Sequence, residues 1–314
     1  MKILEDGTLS ITVTGLMDFC KTPKHFKWFQ IDKKRKESAS MTSGTLLHLS
    51  VFEPQRFEDE YYSDVTIPEE FTMLKTVKDL QRFLDSRNVV YKKSASKPEL
   101  IQIADPLVQS EEFTYIWDKY IETYADKQHV PTGVYDQVMA MTESVHQHPF
   151  FNRYVGSGDV ETKMTTMING VEIRGRLDWH FFNERMNYYI VADLKQAVSA
   201  QINAFERKCY HEKYFIQAYL YKKMVEELFS KEALYTYIAV EPSAPYICEV
   251  YAADDGHLSA AEELVNAKIE QLKYCVKNNF WPGYSDQVLS NIGLPSYAYD
   301  AVEKELECLK LKKM

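Results

Sequence analysis

The chain has 314 residues, of which 45% are hydrophobic and 13% aromatic, enough to bury a sizeable core in one large domain or two ordinary ones. Its formal net charge of −9 argues against a general polyanion-binding protein, because a phosphate backbone is normally met by positive potential. No long apolar run is present, and the first residues lack a charged leader followed by an apolar stretch. These features predict a folded cytoplasmic protein with no membrane partner.

The five cysteines are widely spaced, and no two of them form a C-x-x-C pair. This spacing predicts neither a zinc knuckle nor an iron–sulfur cluster, and in a cytoplasmic protein it favours reduced thiols. The sequence also lacks the phosphate-binding G-x-x-x-x-G-K-[ST] motif, so no ATP site is predicted. The cysteines are Cys20, Cys209, Cys248, Cys275 and Cys308.

One short segment, residues 21–37, is strongly basic. It reads KTPKHFKWFQIDKKRKE and carries seven Lys or Arg residues against two acids, with Phe26 and Trp28 interleaved. Basic side chains pair with phosphates and aromatic rings stack on bases, so this pattern suits a nucleic-acid strand. Lys24 and Lys27 are therefore candidate DNA-binding residues. A solvated basic helix end is the alternative interpretation.

The N-terminal part is predicted to be helical. A helix near Thr14–Lys21 begins at TVTG, which offers a threonine cap, and a second helix begins near Ser43. Residues 64–110 look like an insertion with two short helices joined by the polar turn KKSASKPEL. This outline resembles the small helix-extension-helix and SAP-like modules that hold DNA, although a purely structural helical hairpin has the same pattern. The apolar residues available to its core are Leu80, Phe83, Leu84, Leu100, Ile101 and Ile103.

Strands and helices alternate in the rest of the chain. Residues 111–150 have helical spacing, after which VEIRGRLDW and YYIVADLKQ are predicted to form a hairpin around the turn NERMN. A long helix over 199–229, strands in ALYTYIAVE and YICEVYAA, and a helix over 258–277 follow. The predicted fold is α/β, with a mixed central sheet flanked by helices, a helical N-terminal part and the insertion, in a single domain over residues 1–314.

Two aspartates and a lysine occupy positions in this hairpin where a buried strand normally carries Val or Ile. Residues two apart share a face of a strand, so Asp193 and Lys195 point the same way and the carbonyl of Leu194 lies beside them. Asp178 on the partner strand can approach this pair. Carboxylates, a carbonyl and waters are the ligands that Mg²⁺ or Mn²⁺ prefers, and Lys195 could hold an attacking water or stabilise a phosphate. A structural Asp–Lys ion pair is the alternative.

Five further residues are candidates for the same site. His48 lies on an otherwise leucine-rich helix, although a histidine that simply belongs to a core is the more common case. Glu161 lies just before the hairpin, where a solvated surface position is expected from the residue alone. Gln217 and Tyr221 are four residues apart and share one face of the predicted long helix, with Lys213 one turn earlier.

The order and spacing of these motifs resemble a nuclease family. GTLLH, VE, GRLDW, VADLK and YHEKYFIQAYLY are similar to the helix His, the acidic position, the first Asp, the D-x-K and the Q-x-x-x-Y of the RecB-type branch of the PD-(D/E)xK nucleases. TGLMDFCKTPKHF, GTLLHLSVFEPQRF and WPGYSDQVLSNIGLPSYA resemble segments of the exodeoxyribonuclease VIII (RecE)-type phage recombination exonucleases. The resemblance covers most of the chain outside residues 64–150. Leu177 stands where the superfamily name has a proline, as is usual in this branch.

The resemblance implies a metal-dependent deoxyribonuclease that degrades one strand of linear duplex DNA, 5′ to 3′, and leaves a 3′ single strand for recombination by strand annealing. It implies that Lys195 is the catalytic lysine and that Glu161 assists the metal or the water. Gln217 and Tyr221, with Lys213, would position the DNA strand. Mg²⁺ is the implied cofactor, with Mn²⁺ as a substitute, and its implied ligands are His48, Asp178, Asp193 and the carbonyl of Leu194.

The resemblance also implies how an acidic protein would bind DNA, because family members close into a ring around it with a basic channel inside. We therefore expect a ring-like homo-oligomer, double-stranded DNA ends as substrate and a single-strand annealing protein as partner. Two alternatives are a structure-specific endonuclease of the same fold and a non-cleaving DNA-binding protein. The intact set of Asp178, Asp193 and Lys195 argues against the second alternative.

Overall fold

The computed structural model describes residues 1–34, 39–64, 71–111, 113–285, 292–293 and 295–311. The helices are α1 Val13–Lys21, α2 Pro23–Phe26, α3 Ala39–Phe52, α4 Pro54–Glu60, α5 Val77–Ser86, α6 Lys97–Val108, α7 Trp117–Glu122, α8 Thr132–Gln147, α9 Pro149–Tyr154, α10 Ile202–Glu212, α11 Tyr214–Phe229, α12 Asp255–Asn278 and α13 Ser296–Leu311. A π-helical turn, Lys27–Ile31, follows α2. The strands are β1 Lys2–Ile3, β2 Leu9–Thr12, β3 Tyr61–Tyr62, β4 Thr72–Leu74, β5 Thr114–Ile116, β6 Gln128–His129, β7 Asp159–Ile168, β8 Val171–Asn183, β9 Tyr188–Gln196, β10 Ala233–Val240 and β11 Cys248–Ala252.

Seven strands form one mixed sheet. Its neighbours follow the order β1, β2, β8, β9, β10 and β11, and β7 pairs with β8 as well. The β2–β8 and β9–β10 pairs are parallel, whereas the β1–β2, β7–β8, β8–β9 and β10–β11 pairs are antiparallel. The predicted mixed α/β fold is confirmed, and β8 and β9 form the predicted hairpin.

Helices cover both faces of this sheet, and each face has its own apolar core. On one face, α1, α11 and α12 contribute buried residues such as Leu16, Ile216 and Ile269. On the other face, α3 and α8 contribute residues such as Leu47 and Met141. The sheet is therefore the middle layer of three, and its central strands are shielded from water on both sides. Within the described residues, no helix has both the length and the apolar character needed to cross a bilayer.

The regular alternation of β8 is interrupted at one residue. Leu177 belongs to the core on the α11 face, yet Trp179, two residues later, belongs to the core on the α3 face. Asp178 lies between them, at the point where β8 stops pairing with β2 at Arg174 and begins pairing with β9 at Trp179. This change of partner brings Asp178 to an opening in the sheet rather than to either apolar layer.

A third core lies in the predicted insertion. Helices α5 and α6 are both present there, and each begins with a capping box, at Thr76 and Ser96 respectively. Ile116 of β5 belongs to the same core, so we define the inserted module as residues 71–111 and 113–122. Of the six apolar residues expected in this core, the first four are buried and the last two partly buried, in the order Leu80, Phe83, Leu84, Leu100, Ile101 and Ile103.

Three local expectations differ from the structure. The helix expected over 199–229 is two helices, because Lys213 adopts a left-handed conformation with φ of 64° and its N–H bonds to carbonyls at the end of α10. Residues 111–150 contain the short strands β5 and β6 in addition to helices. Strand β7 was not predicted, and it brings Glu161 alongside β8.

Candidate active site

A cleft of about 860 Å³ opens between the start of α1, helix α3 and strands β7 and β8. Four of the residues selected from the sequence line it, namely His48, Glu161, Asp178 and Tyr221. Strand β9 contacts this group through the Leu194 N–H, which bonds to Asp178. Asp193, next to Leu194, contacts Lys195 and Gln217. Most of the predicted site therefore lies in one place, although it draws on five separate elements of the chain.

Asp178 and His48 meet through the main chain of Leu194. The N–H of Leu194 donates a hydrogen bond of 2.8 Å to Asp178 Oδ2. His48, on α3, places Nδ1 3.4 Å from the same oxygen and Nε2 3.1 Å from the Leu194 carbonyl, which accepts its hydrogen bond. Burial lowers the pKa of His48, but the Asp178 carboxylate outweighs burial and the pKa is raised. Asp178, His48 and the Leu194 main chain are thus linked by direct polar contacts.

Glu161 completes an acidic group at this point. Its side chain is only 16% exposed, so the expected solvated surface position is wrong, and its Oε2 lies 2.7 Å from Arg176 Nε. The residue has a φ of 52°, an unusual value for a non-glycine in a strand. Burial, with the charge of Asp178 nearby, raises the pKa of Glu161. Ligand atoms of His48, Glu161 and Asp178 lie within 4.8 Å of one another.

Asp193 faces a different set of partners. Its Oδ2 pairs with Lys195 Nζ, and its Oδ1 accepts a hydrogen bond of 2.8 Å from Gln217 Nε2. Lys195 Nζ also lies 4.8 Å from the centre of the Tyr214 ring. The Asp193 side chain is 1% exposed and that of Lys195 13%. In this arrangement Asp193 holds the lysine in place, on the opposite side of Leu194 from His48.

The buried charges shift one another's proton affinities. Burial raises the pKa of Asp193 to about 6, against the opposing effect of Lys195. Burial alone would lower the pKa of Lys195, but the Asp193 and Asp178 carboxylates outweigh it and the pKa is raised. Burial would raise the pKa of Asp178, yet the positive charges of His48 and Lys195 keep it below its usual value. At neutral pH Lys195 is therefore a cation that pairs with the Asp193 carboxylate.

Tyr221 fits closely against a glycine of β8. A Cβ atom on Gly175 would lie 2.5 Å from Tyr221 Cε1, so only glycine leaves room for the ring there. The Tyr221 side chain is buried, and burial, followed by the Asp193 and Asp178 charges, raises its pKa to about 12. The predicted pairing of Gln217 with Tyr221 on one face of α11 agrees with their hydrogen bond, and the phenol stays neutral.

The three lysines selected as DNA contacts do not lie against the carboxylates. Lys213 is the left-handed residue between α10 and α11, so it precedes α11 as its N-cap and does not lie within a continuous helix. Its Nζ lies 4.2 Å from the centre of the Tyr210 ring. Lys24 lies in α2 and Lys27 begins the π-helical turn, beyond the far end of α1.

Basic residues that were not selected from the sequence line the cleft. Arg174 and Arg176 follow each other at every second position of β8, and Lys163 of β7 and Arg56 of α4 are also present. The buried Nε of Arg174 lies 3.8 Å from Glu172 Oε1. The repeated basic positions in EIRGRLDW were the available signal, but only the fold shows that they face the same space as the carboxylates.

The donor set suits a hard divalent cation. Two carboxylates and an imidazole within 4.8 Å of one another are ligands that Mg²⁺ or Mn²⁺ can take, with water completing the shell. Burying these acids costs several kcal/mol per unpaired charge, and a cation offsets that cost. His48, Glu161 and Asp178 therefore fit a metal, whereas Asp193 is directed to Lys195.

A solved structure shares this architecture. A crystal structure of a candidate exonuclease from Eubacterium rectale at 2.19 Å resolution has a TM-score of 0.53 and 14% identity, covering 94% of this chain and 97% of that chain. At this identity the likeness shows the fold. The crystal structure of SSO0001 covers 77% of this chain and 96% of its own, at 17% identity, but its TM-score is 0.28.

No curated protein sequence matches the chain. A family model does, and its description is a PDDEXK-like domain of unknown function, DUF3799. The match extends over residues 12–290, which include every element of the cleft. Nucleases of the PD-(D/E)xK type use divalent metals, which agrees with the group of His48, Glu161 and Asp178 in the cleft. The family and the fold together support a nuclease. The chain belongs to the DUF3799 family of PDDEXK-like domains and thus to the PD-(D/E)xK superfamily.

Proposed function

We propose that this protein is a divalent-metal-dependent deoxyribonuclease that degrades linear double-stranded DNA from its ends. The observation that carries the proposal is the group of His48, Glu161 and Asp178 next to a buried Asp193–Lys195 pair, in a cleft lined by arginines. We further propose 5′-to-3′ polarity and 3′ single-strand products for recombination by strand annealing. These finer assignments follow the resemblance to RecE-type exonucleases.

The residues would divide the chemistry between them. His48, Glu161 and Asp178 would hold Mg²⁺, or Mn²⁺ in its place, and Asp193 and the Leu194 carbonyl, the other ligands that the resemblance implies, would complete the set. When bound, the cation supplies positive charge that stabilises the leaving oxygen of the phosphodiester. Lys195, fixed by Asp193, would orient the attacking water and donate a hydrogen bond to the phosphate.

The surrounding side chains would position the DNA. Arg174 and Arg176 carry charge for the phosphates of the bound strand, and Gln217 keeps Asp193 in its orientation. Tyr221 presents a neutral phenol at the wall of the cleft. In a protein with a net charge of −9, these residues concentrate positive charge where a phosphate must enter.

The test compares end-labelled linear duplex with closed circular duplex in Mg²⁺. Wild type should release nucleotides from the linear substrate and leave closed circles intact, and Asp193→Ala and Lys195→Ala should both be inactive. Cutting of closed circles would favour a structure-specific endonuclease of the same fold. Binding without any cleavage would favour a non-cleaving DNA-binding protein, and full activity in both variants would refute the site.

We also propose a ring-like homo-oligomer and a single-strand annealing protein as partner. An oligomer would let an acidic exterior surround a basic channel. Light scattering with and without DNA tests this, and a strictly monomeric mass in both conditions would contradict it.

The inserted module is a further proposed DNA contact. Lys92 and Lys93, in the turn between α5 and α6, are exposed, whereas Lys97 is paired with Asp118. Lys92→Glu with Lys93→Glu should weaken duplex binding and spare metal binding. Unchanged affinity would return the module to a structural role.

A further inference from the structure

Two segments far apart in the sequence build one exposed surface at the far end of α1. The ring of Phe26 stacks on Trp281 at 5.8 Å, and the N–H of Lys24 donates to the Pro282 carbonyl at 3.1 Å. His25 meets Tyr284 edge-on at 5.7 Å. We call the outward-facing residues the aromatic–basic surface and define it as Lys24, His25, Lys27, Trp28 and Tyr284.

Its aromatic rings are open to solvent. Tyr284 is 84% exposed and Trp28 is 53% exposed. Aromatic side chains normally bury a large apolar area, so both rings are unusually accessible. Phe26 and Trp281 beneath them are buried or partly buried and fix the two segments to each other. The exposed rings therefore lie on a packed layer formed by Phe26 and Trp281.

The charge of this region is opposite to that of the whole protein. The described residues 21–34 contain five lysines and one acid, Asp32, whereas the chain carries −9. Lys21 is committed to an ion pair with Glu212 at 3.7 Å. Asp18, just below, is buried and accepts a hydrogen bond from Gln30. The remaining lysines leave a net positive surface around the rings.

Helix α1 sets the distance from this surface to the cleft. Thr12 and Val13, where α1 begins, line the cleft, and Lys21, where α1 ends, leads directly into Lys24. A helix of nine residues is about 13 Å long at 1.5 Å per residue. A DNA strand of a few nucleotides spans that length.

We propose that the aromatic–basic surface binds single-stranded DNA. Bases stack on Trp28 and Tyr284, and Lys24 and Lys27 pair with the phosphates. Base faces are hidden in a duplex and accessible in a single strand, so exposed rings beside lysines fit a single strand better than a duplex. The surface then holds the single strand a few nucleotides from the cleft. This inference rests on the proposed deoxyribonuclease function for its role, but its binding test does not depend on cleavage.

The experiment measures binding of a fluorescein-labelled oligo-dT of about 15 nucleotides by anisotropy, using the full chain in EDTA so that no cleavage occurs. Trp28→Ala and Tyr284→Ala should each weaken binding about fivefold or more, and the double variant further. Lys24→Ala with Lys27→Ala should lower the slope of log affinity against log salt by about 0.7 per lysine. The matched control is Phe182→Ala, an exposed ring 5.7 Å from Lys231 on the β8–β9 hairpin, which should bind as wild type does.

Binding of a closed DNA hairpin duplex should change less than twofold in the two aromatic variants. Three results with the variants would overturn the proposal. They are unchanged oligo-dT affinity in a double variant that melts like wild type, an equal loss for oligo-dT and duplex, and conversion of an oligomer to monomers by Trp28→Ala with oligo-dT binding unchanged. If wild type cleaves DNA but does not bind oligo-dT, the proposed single-strand site is refuted and the proposed nuclease function stands. If wild type binds oligo-dT but does not cleave DNA, the proposed nuclease function is refuted and the single-strand site stands.

Discussion

Charged side chains lie buried in the cleft and exposed in the inserted module. Asp193 is 1% exposed and pairs with Lys195 between the sheet and α11, whereas Lys97 and Asp118 of the module pair with about a third of each side chain in water. Exposed pairs contribute about 0–1 kcal/mol, but removing an ion from water costs several kcal/mol. The buried pair therefore carries a desolvation cost that the exposed pair avoids, which agrees with the active site proposed here.

The largest expected effect is on cleavage. Asp178→Ala and Lys195→Ala should each lower the rate on linear duplex by about a thousandfold or more, because groups that act as a unit lose most of their effect when one is removed. For the same reason the double variant should be little slower than either single variant. Rates of nucleotide release in Mg²⁺ measure this.

The matched control for that comparison is Lys119→Ala, which removes a lysine paired with Asp105 on the surface of the module. Its cleavage rate should equal that of wild type. If Lys119→Ala slows cleavage as much as Lys195→Ala does, the buried lysine has no special role in cleavage and the comparison fails.

The second prediction concerns the cores. Leu84 is fully buried in the module, so Leu84→Ala should cost about 2–5 kcal/mol of local stability. Because the module has its own core, amides of α5 and α6 should exchange faster with deuterium while those of β9 stay protected. Equal acceleration in β9 would show that the module and the sheet unfold as one unit.

A smaller effect is expected at the wall of the cleft. Gly175→Ala places a methyl group 2.5 Å from the Tyr221 ring, and such overpacking costs about 1–3 kcal/mol. The melting temperature of Gly175→Ala should therefore be several degrees below that of wild type. Gly133→Ala is the control, because nothing lies within 4 Å of a Cβ built at that position. A loss of stability at Gly133 equal to that at Gly175 would contradict the close fit.

The smallest effect is at the break between α10 and α11. Lys213 has a φ of 64°, where a residue with a Cβ is strained by about 1 kcal/mol and glycine is not. Lys213→Gly should therefore stabilise the protein by about 1 kcal/mol in urea, whereas Lys213→Ala should not, although both remove the charge. If Lys213→Gly and Lys213→Ala change the stability equally, the change comes from loss of the charge and the backbone explanation is wrong.

The hairpin and its charged residues could be predicted from the sequence because both depend on local pattern. Runs rich in Val, Ile and Tyr around NERMN indicate two strands, and the alternation in VADLK places Asp193 and Lys195 on one face. Strand β7 was missed because its residues are mostly polar and only alternate positions near its end, such as Met164 and Ile168, are buried. Judged alone, Glu161 therefore has the character of a surface residue.

Other features depend on contacts between distant segments. The break at Lys213 has no Gly or Pro to announce it. The interruption of β8 at Asp178 follows from its exchange of β2 for β9, which no local pattern records. Arg174 and Arg176 look like ordinary exposed strand positions until β7 and α3 enclose them in the cleft. Sequence pattern thus predicted the candidate charged residues of the site better than the residues that surround them.

Binding of Mn²⁺ followed by electron paramagnetic resonance is the most direct test of the central claim that the buried acids form a metal site. Wild type and Lys195→Ala should both bind the ion, because Lys195 is not a ligand, and Asp178→Ala should lose binding. Mg²⁺ should compete with Mn²⁺ in wild type. Equal Mn²⁺ binding by wild type and Asp178→Ala, or none by wild type, would contradict the claim.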